Sequence, residues 1–152
     1  RNAFIMTNMM QDVINHGTAV RAKQLGRTDL AGKTGSTSNF VDAWFCGFQK
    51  DLVTIAWTGY DEPKSLGNNE TGGRVALPIW MDYMGPVLKE VPMAEYSPPN
   101  GIHATRINSA TGLREQTGDI TEYFFNEQIP PLSDNPIDHA PKVTKDLRDQ
   151  LF

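Results

Sequence analysis

The chain has 152 residues, a formal net charge of −4 and 21% charged residues, which suits one folded domain or part of a larger one. This acidic balance lacks the basic face that nucleic-acid binding requires, so we predict no nucleic-acid partner. Cys46 is the only cysteine, which excludes an intrachain disulfide and a cysteine-based metal site. His16, His103 and His139 are far apart, and we predict no metal and no cofactor.

No stretch approaches the roughly 18–20 continuous apolar residues of a membrane span, so none is predicted here. The first predicted element is an amphipathic helix over residues 3–15, where apolar residues recur at spacings of three and four. Gly17 follows as its stop signal. Because this helical pattern begins almost at Arg1, we expect this chain to be one part of a longer polypeptide.

Three strand-like segments follow, at about 30–37, 43–48 and 52–57. The links between them have hairpin length, whereas a parallel crossover would need a dozen or more residues. The sequence therefore predicts a three-stranded antiparallel meander. The apolar run at 43–46 indicates a central strand that is buried on both faces, with Cys46 as inert core.

A second helix is predicted from about Val75, with a kink or restart at Gly85-Pro86, since proline in a helix interior costs about 3 kcal/mol. Beyond residue 91 the character changes, and seven of the ten prolines lie between Pro92 and Pro141. We predict a domain over 1–91 and a Pro-rich extension over 92–152. Within the extension the sequence predicts a short hairpin at 102–117, a strand at 120–125 and a final short helix around 143–151.

One segment carries recognisable chemistry, Lys33-Thr34-Gly35-Ser36. A phosphate-binding loop is one interpretation, but that pattern requires glycine at position 27, where the chain has Arg27, and a helix beginning at the lysine. A polar edge strand in a non-catalytic structural or binding module is the second. The third is the K-T-G motif of the active-site-serine penicillin-recognising enzymes. A strand at the start of an antiparallel meander favours the third interpretation.

The surrounding sequence resembles the class A, bifunctional penicillin-binding proteins of Gram-negative type over roughly residues 2–125. The resemblance rests on blocks that follow one another along the chain: Asp29-Leu30-Ala31-Gly32-Lys33-Thr34-Gly35, Asp42-Ala43-Trp44-Phe45-Cys46-Gly47-Phe48, Trp57-Thr58-Gly59-Tyr60-Asp61, Gly72-Gly73-Arg74, Pro78-Ile79-Trp80, Pro99-Asn100-Gly101-Ile102 and Thr111-Gly112-Leu113. It implies an α+β fold, an antiparallel sheet flanked by helices within the serine penicillin-binding and β-lactamase-like transpeptidase fold, with a small C-terminal β-rich extension.

The resemblance also implies a function, the cross-linking of peptidoglycan by a D,D-transpeptidase that β-lactams inhibit. Lys33 would be the cation beside the carboxylate of the donor stem peptide, and the Thr34 and Ser36 hydroxyls would donate to that carboxylate. Gly35 would leave room for the substrate backbone, and the Ser36 amide would be an oxyanion-hole donor. Thr37 is a weaker substrate contact, and Ser36 replaces the threonine usual in the family. Strand alternation places Lys33 and Gly35 on one face and Thr34 and Ser36 on the other, so a local twist is expected.

The nucleophile motif Ser-x-x-Lys is absent, because no serine of the chain has lysine three residues later. The second motif, S-x-N, is spelled once, at Ser133-Asp134-Asn135, after K-T-G rather than before it, which we interpret as coincidence. We therefore expect this chain to be inactive alone and to require an N-terminal remainder with both motifs. The resemblance implies an upstream glycosyltransferase domain and membrane anchor, and a location at the periplasmic face of the inner membrane.

Overall fold

The computed structural model describes residues 1–133. These residues divide into two compact units, one formed by residues 6–96 and the other by residues 1–5 with the chain from Ser97 onward. The domain boundary at residue 91 remains a prediction. The expected final helix and the residues Asp134 and Asn135 lie outside the described part of the chain.

The larger unit is built on the expected meander. Strands β1 (Ala31–Ser36), β2 (Ala43–Gln49) and β3 (Leu52–Thr58) pair antiparallel in the order β1-β2-β3. Helix α1 (Asn2–Asn15) precedes them, and helix α2 (Leu77–Leu88) follows after a π-helical turn at Gly72–Ala76. The α+β class with an antiparallel sheet flanked by helices is confirmed.

The core lies on one face of this sheet, where Phe45 and Trp80 are fully buried and meet edge to face at 5.1 Å. Trp80 also donates from Nε1 to the Thr54 carbonyl at 3.0 Å, which fixes α2 against β3. Val13 and Ile14 at the end of α1 are buried in the same cluster. Removing apolar surface from water across these contacts is what holds the helices on this side of the sheet.

One sequence expectation about this unit is wrong. The central strand β2 is buried on one face only, since its residues alternate between buried and exposed, and Cys46 is exposed rather than part of the core. A continuous apolar run therefore does not require that a strand be covered on both of its faces. Helix α2 continues through Pro86 to Leu88, so the helix does not restart at Gly85-Pro86, and the expected kink stays a prediction. Pro86 has no N–H to donate to the carbonyl four residues earlier.

A buried ion pair ties the start of β1 to the chain after α2. Arg27 contacts Asp29 through two hydrogen bonds of 2.8 and 2.6 Å, and the Asp29 side chain is inaccessible to solvent. The Arg27 guanidinium also donates to the carbonyls of Leu88, at 3.0 Å, and Val91, at 2.7 Å. Asp29 in turn accepts from the Ala94 amide at 2.8 Å. This network stabilises the polypeptide beyond α2 on the sheet.

The charge state of this pair follows from its surroundings. Burial alone would raise the pKa of Asp29, but hydrogen bonds from Arg27, the Ala94 amide and the Gln49 side chain outweigh it, and the pKa is lowered. The hydrogen bond to Asp29 raises the pKa of Arg27. Both groups are therefore charged at neutral pH, as a paired and hydrogen-bonded buried charge must be.

The smaller unit contains a two-stranded antiparallel ribbon of β4 (Ile102–Ile107) and β5 (Ile120–Phe125). The predicted strand at 120–125 is confirmed. The predicted hairpin at 102–117 is a tight turn, with the Gly112 amide bound to the Asn108 carbonyl at 2.8 Å and a single bridge from Ile107 to Arg114. The longer ladder joins β4 to β5 instead, where six residue pairs face each other.

Candidate active site

The K-T-G motif lies on β1, which is an edge strand of the three-stranded sheet. One side of β1 is paired with β2, and its other side is free within the described chain. Lys33 and Ser36 are exposed at this edge. A ligand can therefore reach the strand from its open edge, where side chains of both faces are within range.

The register of the sheet assigns each motif residue to a face. Lys33 lies opposite Cys46, and Gly35 opposite Trp44, on the outer face that is not covered by α2. Thr34 lies opposite Phe45 on the inner face with the core, and Ser36 belongs to the same inner row. The alternation expected from sequence is thus present.

Gly35 has little room for a side chain on the outer face. A Cβ atom at this position would lie 3.2 Å from the Cβ of Trp44, tighter than ordinary contact. The Lys33 ammonium instead turns along the strand and donates to the Thr34 carbonyl at 3.1 Å. The result is an exposed cation beside an open stretch of backbone.

The two inner-face hydroxyls each have a partner from a distant part of the chain. The hydroxyl oxygens of Thr34 and Thr18 are 2.7 Å apart, so one donates to the other. Ser36 Oγ accepts a hydrogen bond of 3.0 Å from the Gly72 amide at the start of the π-helical turn before α2. Both hydroxyls are therefore held in place before any ligand arrives.

The direction of the Ser36 amide follows from the ladder. The next residue, Thr37, donates its N–H across the sheet to the Asp42 carbonyl at 3.0 Å. Backbone N–H groups alternate in direction along an extended strand. The Ser36 N–H therefore points to the free edge of β1, where an approaching oxygen atom could accept from it.

Thr37 is already engaged within the protein. Its hydroxyl accepts from the Asp42 amide at 2.8 Å, and the Asp42 carboxylate accepts from Trp57 Nε1 at 3.0 Å. This set of contacts closes the turn between β1 and β2 and connects it to β3.

Sequence reasoning gave no role to Thr18 or Gly72, although Gly72 lies in one of the blocks that carry the family resemblance. The two consecutive glycines at 72–73 before a helix were a signal of close packing. A Cβ on Gly72 would lie 2.6 Å from the Gly35 carbonyl oxygen and closer still to that of Trp44. Thr18 carried no comparable signal, because an exposed threonine is common.

Other kinds of site find no support in the described residues. No group of three or more histidine, cysteine or acidic side chains among residues 1–133 is arranged to hold a metal ion. None of the helices described is long and apolar enough to cross a membrane. A phosphate-binding loop would begin a helix at Lys33, whereas this lysine lies in the middle of a strand.

The α+β fold described above, with an antiparallel sheet flanked by helices, is that of a penicillin-binding protein. A solved relative has this fold: penicillin-binding protein 1A from Haemophilus influenzae superposes with a TM-score of 0.81 at 33% identity, over 86% of this chain and 21% of that one. No protein-family model matches the chain.

Curated relatives give the same result in sequence. Penicillin-binding protein 1A from Pseudomonas aeruginosa is 51% identical over 134 residues, which is 86% of this chain and 16% of the relative. The protein of that name from Neisseria gonorrhoeae is 55% identical over 89 residues, 59% of this chain and 11% of the relative. The chain belongs to the penicillin-binding proteins and spans about a sixth of the length of the Pseudomonas relative. Within that family its similarity is to the 1A type of Gram-negative bacteria.

Proposed function

We propose that the chain is the K-T-G-bearing part of a peptidoglycan D,D-transpeptidase. One observation carries this proposal: Lys33, Gly35 and the Ser36 N–H are all available at the free edge of β1. A peptide ending in a carboxylate can lie along this edge as an added strand, with its backbone on β1 and its charge beside the lysine.

In the proposed reaction, a serine oxygen attacks the penultimate D-Ala carbonyl of a stem peptide, and the terminal D-Ala leaves with a proton. An amine of a second stem peptide then attacks the acyl-enzyme and releases the serine. Lys33 attracts the donor carboxylate, and the Thr34 and Ser36 hydroxyls donate to it. The Ser36 amide stabilises the oxyanion of the tetrahedral intermediate, an interaction that is typically worth about 2.7–4 kcal/mol of barrier. β-Lactams acylate the same serine.

The serine must come from outside this chain, and the outer face of the sheet is where it would arrive. The side chains of Trp44, Val53, Ile55 and Trp57 are 40%, 75%, 57% and 45% exposed, and all lie on the face that carries Lys33. An apolar surface of this kind beside a functional group marks an interaction site. We infer that the N-terminal remainder, with Ser-x-x-Lys and S-x-N, packs on this face and places its serine beside Lys33.

A fluorescent penicillin should label the full-length protein covalently and leave the isolated 152-residue chain unlabelled, because only the former would contain the nucleophile. Gel fluorescence after denaturation, with and without unlabelled competitor, measures the bond. Labelling of the isolated chain would refute the proposal that acylation needs a serine from the N-terminal remainder. Absence of labelling in a folded full-length protein would favour the alternative, a non-catalytic structural module.

The proposed docking face gives a separate prediction. Ile55→Lys should change the free energy of unfolding of the isolated chain by less than about 0.5 kcal/mol, because the side chain is exposed there. In the full-length protein the same change should destabilise by about 2 kcal/mol or more, since a charge would then be buried without a partner. Ile79→Lys, on the exposed side of α2, is the matched control. Equal effects of Ile55→Lys in both proteins would contradict docking on this face.

The relatives' names support a role in the bacterial cell envelope. We propose the periplasmic face of the inner membrane as the location, with an anchor and a glycosyltransferase domain outside this chain. Peptidoglycan stem peptides and β-lactams are the proposed ligands. Detection of the full-length protein in washed inner-membrane fractions, with protease accessibility from the periplasm, tests the location.

A further inference from the structure

We propose that Thr18 and Gly72 are positioning residues that set the direction in which the Thr34 and Ser36 hydroxyls donate. This inference rests on the proposed function, in which both hydroxyls bind the carboxylate of the substrate. It concerns residues that touch no substrate themselves and act through the motif.

The argument is strongest at Ser36. A backbone N–H can only donate, so the contact of 3.0 Å with the Gly72 amide makes Ser36 Oγ the acceptor. The proton of the Ser36 hydroxyl is left unused by this contact and can be donated outward. A hydroxyl that already accepts one hydrogen bond is also polarised as a donor for the next.

The position of Gly72 explains why a serine on this strand meets an amide. The π-helical turn at Gly72–Ala76 runs directly into α2, and N–H groups in the first turn of a helix have no partner within it. Ser36 Oγ supplies that partner from the sheet. Only glycine allows this approach, because a Cβ at position 72 would overlap the carbonyl oxygens of Gly35 and Trp44.

At Thr34 the same arrangement depends on a side chain. The 2.7 Å contact with Thr18 can run in either direction while the site is empty. When a carboxylate accepts from Thr34, the Thr34 proton is committed to it, and Thr18 must then be the donor in the pair. Thr18 therefore completes a short chain of hydroxyls that ends on the ligand carboxylate.

Both contacts lie on the same side of β1. A Cβ at Gly73 would lie 2.7 Å from the Thr18 carbonyl oxygen and 3.7 Å from the Thr34 methyl carbon. The segments around Thr18 and Gly72 thus support the motif from the inner face, opposite the face of Lys33. Thr18 and Gly72 therefore contact the hydroxyl oxygens of Thr34 and Ser36 from the inner face, and the two hydroxyl protons remain available at the strand edge.

The test uses the full-length protein and two acylating agents, benzylpenicillin and its methyl ester, which lacks the carboxylate charge. Thr18→Val removes the hydroxyl and keeps the shape of an exposed side chain. We expect the acylation rate constant for benzylpenicillin to fall about fivefold, the usual effect of losing one hydrogen bond between neutral groups. The rate constant for the ester should change less than twofold, so the ratio of the two rates falls.

Thr18→Ser keeps the donor and should restore the ratio, and Thr121→Val, an exposed threonine of β5, controls for loss of a hydroxyl in general. Gly72→Ala should lower the same ratio if it folds, as judged by thermal melting. A merely structural role would slow both agents equally and leave the ratio unchanged, which would overturn the inference. If neither agent acylates the wild-type protein, the proposed function itself has failed.

Discussion

Lys33→Ala should slow acylation of the full-length protein by benzylpenicillin on the order of 100- to 1,000-fold, the range found when a preorganised charge or donor is removed from a site. The reason is the loss of the cation at the open edge of β1, where the ammonium lies 3.1 Å from the Thr34 carbonyl oxygen. Stopped-flow or quenched labelling with a fluorescent penicillin gives the second-order rate constant.

Lys50→Ala is the matched control, because this exposed lysine lies in the turn between β2 and β3 of the same sheet. Its acylation rate should stay within twofold of the wild type. Unchanged acylation in Lys33→Ala would show that K-T-G has no catalytic part here, and the non-catalytic interpretation of the chain would then stand.

Asp29→Ala should lower the free energy of unfolding by about 3–5 kcal/mol, the usual result of removing one partner of a buried ion pair. The substitution leaves the Arg27 guanidinium charged, with its side chain only 10% exposed and its carboxylate partner gone. It also removes the acceptor of the Ala94 amide. Urea unfolding of the 152-residue chain measures the change.

The pH dependence provides a second signature of this pair. The pKa of Asp29 is lowered in the folded state. Its contribution to the free energy of unfolding is therefore present above the unfolded pKa of about 3.9, and it is lost as the pH falls through the lower folded pKa. Below about pH 4 the difference in stability between the wild type and Asp29→Ala should therefore shrink.

Asp61→Ala is the control, because it removes an exposed carboxylate in a loop, and it should change the free energy of unfolding by less than about 0.5 kcal/mol. A loss of under 1 kcal/mol in Asp29→Ala would contradict a stabilising network.

The prediction for Asp29 also bears on the site, because Asp29 precedes the motif by four residues on the same segment. Ala31 and Gly32 between them are buried, so the start of β1 is fixed while its motif end is exposed. If the ion pair sets the position of β1, Asp29→Asn in the full-length protein should lower the rate constant of acylation by benzylpenicillin at a temperature where thermal melting shows that the variant is folded.

The local elements were predictable from the sequence because each depends on neighbours along the chain. Apolar spacing gave the first helix, and links too short for a crossover gave the antiparallel meander that the structure contains. The strand at 120–125 followed from its composition. The K-T-G motif and its flanking blocks also directed attention to the family, which the relatives confirm.

Burial was decided by the tertiary structure. The run at 43–46 indicated a strand covered on both faces, yet Trp44 and Cys46 are exposed, because apolar character does not reveal which partners lie within the same chain. Likewise, whether α2 restarts at Pro86 was open from the sequence, and only the structure shows that the helix continues to Leu88.

The sequence by itself determined the strands, the motif on them and the family of this protein. Only the tertiary structure decided how the motif hydroxyls are held, since Thr18 and Gly72 reach them from distant segments. Alternation along a strand depends on adjacent residues alone, and it correctly separated Lys33 from Ser36. A hydrogen bond between segments depends instead on how helices and strands pack, which no local pattern records.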